Sequence, residues 1–151
     1  MTTEVNKRFR VCGNVLKIEG ILLLVVGIIH LIVIPLMKST FVRQLTVPDF
    51  NTIWPPFLLN HLLVGLLLIP LGLTTLYAGH GVINRERWAH RVGLINAATV
   101  LCLPVILVMV MERRYFEAVP FVAASVLVTI IGLSMLWPLL WVSKDFGKGR
   151  N

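Results

Sequence analysis

The stretch GILLLVVGIIHLIVIPLM, residues 20–37, holds 18 residues without a charge. A helix needs about 20 apolar residues to cross roughly 30 Å of hydrocarbon, so this stretch reads as a transmembrane helix. Three further charge-free gaps follow, at residues 50–84, 92–111 and 118–143. Inside a bilayer the backbone must satisfy its own hydrogen bonds, so each gap reads as a helix. Helices are expected at about 16–37, 56–79, 89–111 and 118–142. The composition agrees. Of 151 residues, 57% are hydrophobic and 14% charged, and the mean hydropathy is +0.86. A soluble fold of this size could not bury that much apolar surface, and disorder needs the opposite balance. The expected fold class is all-α: one polytopic membrane domain over residues 1–151, built as an antiparallel four-helix bundle.

The first helix has a basic leader, as a signal peptide would. No small-x-small cleavage site follows, because the chain continues Pro35-Leu36-Met37-Lys38, so the helix is expected to be retained. Lys and Arg set the orientation. Lys7, Arg8, Arg10, Lys17, Arg85, Arg87, Arg91, Lys144, Lys148 and Arg150 fall on one side, against Lys38, Arg43, Arg113 and Arg114 on the other. Both termini are therefore expected in the cytoplasm, with a bacterial inner membrane as the setting. The net charge of +7 follows from cations that flank apolar spans and meet lipid headgroups. No nucleic-acid motif accompanies it. The segment Asn6–Lys17 reads as an amphipathic entry helix on the cytoplasmic leaflet. Trp54 and Tyr115 at the outer ends, and Tyr77, Trp88, Trp137 and Trp141 near the inner ends, read as interfacial anchors.

The glycines carry a sharper pattern. Gly13, Gly20 and Gly27 repeat every seven residues in the first helical region, and Gly65, Gly72 and Gly79 do so in the second. That spacing keeps each set on one helix face. In an antiparallel pair, 13 falls opposite 79, 20 opposite 72 and 27 opposite 65. Small residues let transmembrane helices approach closely, so a tight hairpin is expected. Ala118, Ser125 and Gly132 form a weaker stripe on the fourth helix, with Gly93, Ala97 and Ala98 as its counterparts on the third.

The same register puts position 30 opposite 62, so His30 and His61 should meet within the spans. Ionisable groups there are functional candidates by default. Three readings stand open. The rings are neutral and hydrogen-bonded to each other, to Asn60 or to a carbonyl. Alternatively they hold a transition metal or haem. Or they line a polar pocket for a lipid, quinone or small substrate. A metal needs more ligands than two imidazoles; Glu112, at the end of the third helix, is the candidate third. Its neighbours Arg113 and Arg114 equally suit an interfacial ion pair.

The remaining polar residues carry less. His80 and His90 flank the loop 79–91, and Gly79-His80-Gly81 reads as a helix end and turn. Asn96 is expected to bond across helices, and Thr74, Thr75, Ser125, Thr129 and Ser134 to bond their own backbone. Cys12 and Cys102 are expected at different depths, which excludes disulfide-forming membrane enzymes. No Asp or Glu is expected inside any span, which argues against small exporters that depend on a buried carboxylate. Lys38–Pro55 is expected to be a long, apolar outer loop.

The function expected from these features is an accessory or scaffold subunit of a larger membrane complex, with other membrane subunits or further copies as partners beside the lipid bilayer. The first alternative is an intramembrane enzyme or redox protein using His30 and His61. The second is a small oligomeric channel or carrier.

Overall fold

A computed structural model describes residues 3–44, 46–110 and 119–147. The described residues form four helices: α1 (Thr3–Gln44), α2 (Val47–Ile83), α3 (Arg87–Val110) and α4 (Val119–Gly147). No strand occurs among them. The segments Thr3–Gln44, Phe57–Ile83, Arg87–Ile106 and Val122–Phe146 are long and apolar enough to cross a membrane. An all-helical multi-pass membrane protein fits these facts.

Two helices run beyond the expected bounds. α1 has 42 residues and α2 has 37, or roughly 63 and 56 Å at 1.5 Å per residue. The expected outer loop 38–55 is therefore helical on both flanks: Lys38–Gln44 continues α1, and Val47–Pro55 opens α2. The cause is local. Thr46 caps α2: its carbonyl accepts the first helical bond from Phe50 N–H at 2.8 Å. Its hydroxyl accepts from Asp49 N–H at 3.4 Å and donates to the Asp49 carboxylate. Thr46-Val47-Pro48-Asp49 is thus a helix start of the capping-box kind, with proline in the first turn, where its missing N–H costs nothing.

At the other end α2 continues through Gly79-His80-Gly81, the expected helix end and turn, to Ile83. Arg85 ends it in the left-handed region, at φ 60°. Arg85 N–H bonds the Val82 carbonyl and Glu86 N–H the Gly81 carbonyl, both at 2.9 Å. This is a Schellman stop with arginine in the usual glycine place. Gly81 serves packing instead: a Cβ there would lie 2.5 Å from Ala89 Cβ.

The chain divides into two compact units, Met1–Glu19 with Thr74–Asn151, and Gly20–Leu73. In the first, the N-terminal segment packs inward rather than lying on a leaflet. Phe9, Cys12 and Leu16 are buried, and Phe9 meets Phe146 edge-on at 4.8 Å. A Cβ at Gly13 would lie 2.5 Å from the Gly79 carbonyl oxygen, and one at Gly79 would lie 2.7 Å from that of Gly13. On α3 and α4, small residues receive leucines rather than one another. Gly93 lies under Leu139, and Gly132 under Leu101. His90, expected at the interface, joins these two helices: its Nε2–H donates to the Leu139 carbonyl at 3.0 Å.

In the second unit residues 20–44 of α1 pair with the part of α2 that precedes Thr74. A Cβ at Gly72 would lie 2.8 Å from the Gly20 carbonyl oxygen, and one at Gly65 3.0 Å from that of Gly27. Trp54 is not an exposed anchor. It is buried and stacks on Phe50 and Phe57 at 5.8 and 5.6 Å. Tyr115 and Ala118 lie outside the described residues.

At Gly72 the neighbours include the Gly20 carbonyl oxygen and the Leu24 nitrogen, beside Leu24 Cγ, and the two backbone atoms cannot swing aside as a side chain would. Gly72→Leu is therefore expected to lose at least about 1–3 kcal/mol, the usual cost of overpacking. Leu66→Ala, at a 55% exposed position, is expected to change little. Unfolding of each purified variant in mixed micelles, followed by circular dichroism, measures the difference.

Candidate functional site

His30 on α1 and His61 on α2 come together in the second unit. Their ring centroids are 5.4 Å apart and the planes are tilted by 33°. Each ring is anchored by its own helix. His30 Nδ1 lies 2.9 Å from the Val26 carbonyl oxygen, and His61 Nδ1 lies 3.0 Å from that of Phe57. A carbonyl oxygen only accepts, so each Nδ1 carries a hydrogen, and in a neutral ring that leaves the lone pair on Nε2. Phe57 stacks on His61 at 4.0 Å, extending the Phe50–Trp54–Phe57 ladder onto the imidazole pair. Both histidines remain half-buried. The arrangement orients both Nε2 atoms, and a neutral imidazole held in this way is the form in which histidine binds metals.

Glu112, the expected third ligand, lies outside the described residues. Among the described residues no three His, Cys, Asp or Glu side chains converge. Cys12 is buried and Cys102 exposed, and both are free. His80 is exposed and lies apart from the pair by 19 residues of α2.

A second constellation occupies the first unit, and it corrects the expectation that no carboxylate enters a span. Glu19 is 9% exposed. Ser134 on α4 donates its hydroxyl to Glu19 Oε1 at 2.5 Å. The same hydroxyl reaches the Ile131 carbonyl at 2.8 Å. One hydroxyl proton thus faces two acceptors. Glu19 Oε2 is buried without a hydrogen-bond partner among the described residues. An acidic residue at a helix centre costs about 2.5–3.5 kcal/mol on insertion scales, so its retention marks a functional candidate. The objection to carboxylate-dependent transport falls with it.

Neighbouring polar groups share the layer. Asn96 on α3 is buried and donates to Thr74 Oγ1 at 3.0 Å and Thr75 Oγ1 at 2.9 Å. The threonines therefore serve α3 and not only their own backbone. Leu16 reaches Gly93, and within this unit α1 and α3 both run opposite to α4. One turn further along, Glu19 and Asn96 come to the same height. All four helices contribute to this polar layer: Glu19, Thr75, Asn96 and Ser134.

Glu19 escapes a search for charge gaps because it sits one residue before the gap at 20–37. The helical period exposes it. Phe9, Cys12, Leu16 and Leu23 are the buried side of α1, and their alternating three- and four-residue steps pass through position 19.

No protein-family model, curated protein or solved structure matches the chain.

Replacing Asn96 by alanine removes its hydrogen bonds to the exposed Thr74 and the buried Thr75. Interhelical bonds of this kind average about 0.6 kcal/mol and reach about 1.7 kcal/mol. Asn96→Ala is expected to lower stability within that range, read as a shifted unfolding midpoint in mixed micelles.

Proposed function

We propose that this chain is a small multi-pass protein of the bacterial inner membrane that works as a subunit of a larger membrane assembly. In this reading residues 1–151 form one antiparallel four-helix domain with both termini in the cytoplasm, as the ten-to-four bias of basic residues favours. The observation that carries it is the half-buried histidine pair. Ionisable groups in a span normally face protein or a water-filled cavity. Within this chain, His30 and His61 keep part of their surface uncovered. Around them Ile32, Leu36, Leu59 and Leu63 are all more than half exposed. A neighbouring subunit would cover polar rings and apolar flanks together, and tightly packed helices without large extramembrane parts suit such a role.

Native mass spectrometry after gentle extraction from the source membrane tests this. Companion polypeptides or further copies in fixed stoichiometry are expected. A monomer that is complete and active alone overturns the reading.

The two free Nε2 atoms favour a second reading, an intramembrane redox or metal protein. A transition metal or a haem iron would be held by His30 and His61, with any remaining metal ligands from Glu112 or an adjoining subunit. The same nitrogens would accept hydrogen bonds from a quinol or lipid hydroxyl. His30→Ala and His61→Ala are each expected to abolish stoichiometric metal in elemental analysis, or a haem absorption band, while helicity stays unchanged. Unchanged metal or haem content in either variant, or equal loss of folding in both, overturns this assignment.

A further inference from the structure

Beyond the histidine pair, the first unit carries a basic pocket where α1 begins and α4 ends. Its volume is about 390 Å³, and it is lined by Arg8 on α1 and by Trp137, Leu140, Trp141, Lys144 and Asp145 on α4. Arg8 faces Asp145. Glu19 bonds Ser134, eleven residues further along α1 and eleven back along α4, so the two helices run antiparallel. An apolar groove of about 770 Å³ adjoins the pocket. It shares Trp137, Leu140 and Trp141 and adds Val11 and Val15 of α1 and Ile130 of α4. On α1, Arg8, Val11 and Val15 are three and four residues apart, as are Trp137, Trp141 and Lys144 on α4. Each helix thus presents an apolar stripe that ends in a basic residue.

We propose that this pocket binds the phosphodiester headgroup of one anionic phospholipid, with an acyl chain along the adjoining apolar groove. The assignment needs these helices to lie in a bilayer, and does not depend on the chain being a subunit of an assembly. The charge comes first. Arg8 and Lys144 against Asp145 leave the pocket one net positive charge, which one phosphodiester neutralises. The cations are also the accessible groups: the Arg8 side chain is 34% exposed and Lys144 is exposed, whereas the Asp145 side chain is 9% exposed and turned to Arg8. At 3.9 Å that ion pair is longer than a hydrogen bond, so it orients the guanidinium without using its donors. Trp141 steadies the same group, with Arg8 Cζ 5.0 Å from its ring centre. An arginine held in place by a carboxylate and an indole presents a fixed planar fork, which suits two phosphate oxygens. Lys144 adds a point charge beside it.

The groove beside the pocket identifies the rest of the ligand. Trp137 is 77% and Trp141 44% exposed, so both indoles are free to meet it, and tryptophan favours the level where headgroup gives way to acyl chain. From Lys144 to Ile130 the wall on α4 runs fourteen residues, about 21 Å. One leaflet is half of a hydrocarbon layer roughly 30 Å thick, so the wall is long enough to follow an acyl chain through it. Basic pockets between membrane helices take acidic headgroups in this way. A free phosphate would use the pocket and leave the groove without a role. A zwitterionic lipid would bring an ammonium to a site that is already positive and whose one carboxylate is nine-tenths covered.

Dioleoyl phosphatidylglycerol and dioleoyl phosphatidylcholine have the same chains and differ in net charge. Each is titrated into the full chain in an uncharged mild detergent, and native mass spectrometry counts the bound lipids. Phosphatidylglycerol is expected to saturate near one per chain and to bind at least about fivefold more tightly than phosphatidylcholine. Glycerophosphoglycerol, the same headgroup without chains, is expected not to displace it at equal concentration. Arg8→Gln and Lys144→Gln are each expected to weaken phosphatidylglycerol about fivefold. Arg91→Gln removes the same charge from an exposed residue outside the pocket, and is expected to leave binding unchanged. Circular dichroism shows that each variant is folded, and the exposed Lys144 keeps the test available should Arg8→Gln misfold. Equal binding of the two lipids, displacement by the free headgroup at equal concentration, or a Lys144→Gln variant that binds as Arg91→Gln does overturns the proposal.

Discussion

Glycine backbone against glycine backbone is the contact on which the rest of this molecule depends. Between lipid-embedded helices there is no hydrophobic force to gain, since lipid tails are as apolar as leucine. What remains is dispersion and weak hydrogen bonding, and both fall off steeply with distance. The Gly13–Gly79 contact in one unit, and Gly20–Gly72 and Gly27–Gly65 in the other, bring carbonyl oxygens to the positions that a Cβ would fill. Each contact fixes the height of its neighbours. Near the first, Thr74 and Thr75 stand where Asn96 can reach them. Beyond the last, His30 and His61 stand ring to ring.

The polar layer in the first unit is expensive to place in a membrane, and its partners show how the cost is contained. Asn96 divides two donors between two threonines. Ser134 divides one proton between Glu19 and a backbone carbonyl. Among the fully buried, described side-chain atoms of the layer, Glu19 Oε2 lacks a hydrogen-bond partner. That imbalance sets Glu19 apart from the other members of the layer. A scaffold residue in the same place would be expected to have both oxygens engaged, since half-satisfied networks are worse than none.

Much of this was legible in the residues alone. Charge-free gaps mark the four helices because hydrocarbon tolerates so few charges, and the heptad of glycines marks which faces of α1 and α2 meet. The ends were harder to read. A charge stops a hydrophobic stretch but not a helix, so α1 runs through Lys38 and Arg43 to Gln44. Pro48 and Pro55 suggest irregular backbone until Thr46 and Asp49 are read as a cap. Glu19 is hidden by its position at the border of a gap. Its burial depends on Phe9, Cys12 and Leu16 packing inward, which periodicity indicates but charge counting does not. The His30–His61 meeting follows from the glycine register, whereas the anchoring of both Nδ1 atoms to carbonyls one turn back is a matter of rotamer.

The cap at Thr46 has a consequence for register. A seven-residue glycine repeat is degenerate: sliding α1 along α2 by one heptad, about 10 Å, again sets glycine against glycine, as Gly13 on Gly72 and Gly20 on Gly65. Packing alone would therefore allow two hairpins of similar quality, only one of which joins the histidines. The link between Gln44 and Val47 is too short to take up such a slide. By starting α2 at Val47, the threonine cap acts as a stop on a ratchet and leaves the chain a single tooth in which to rest.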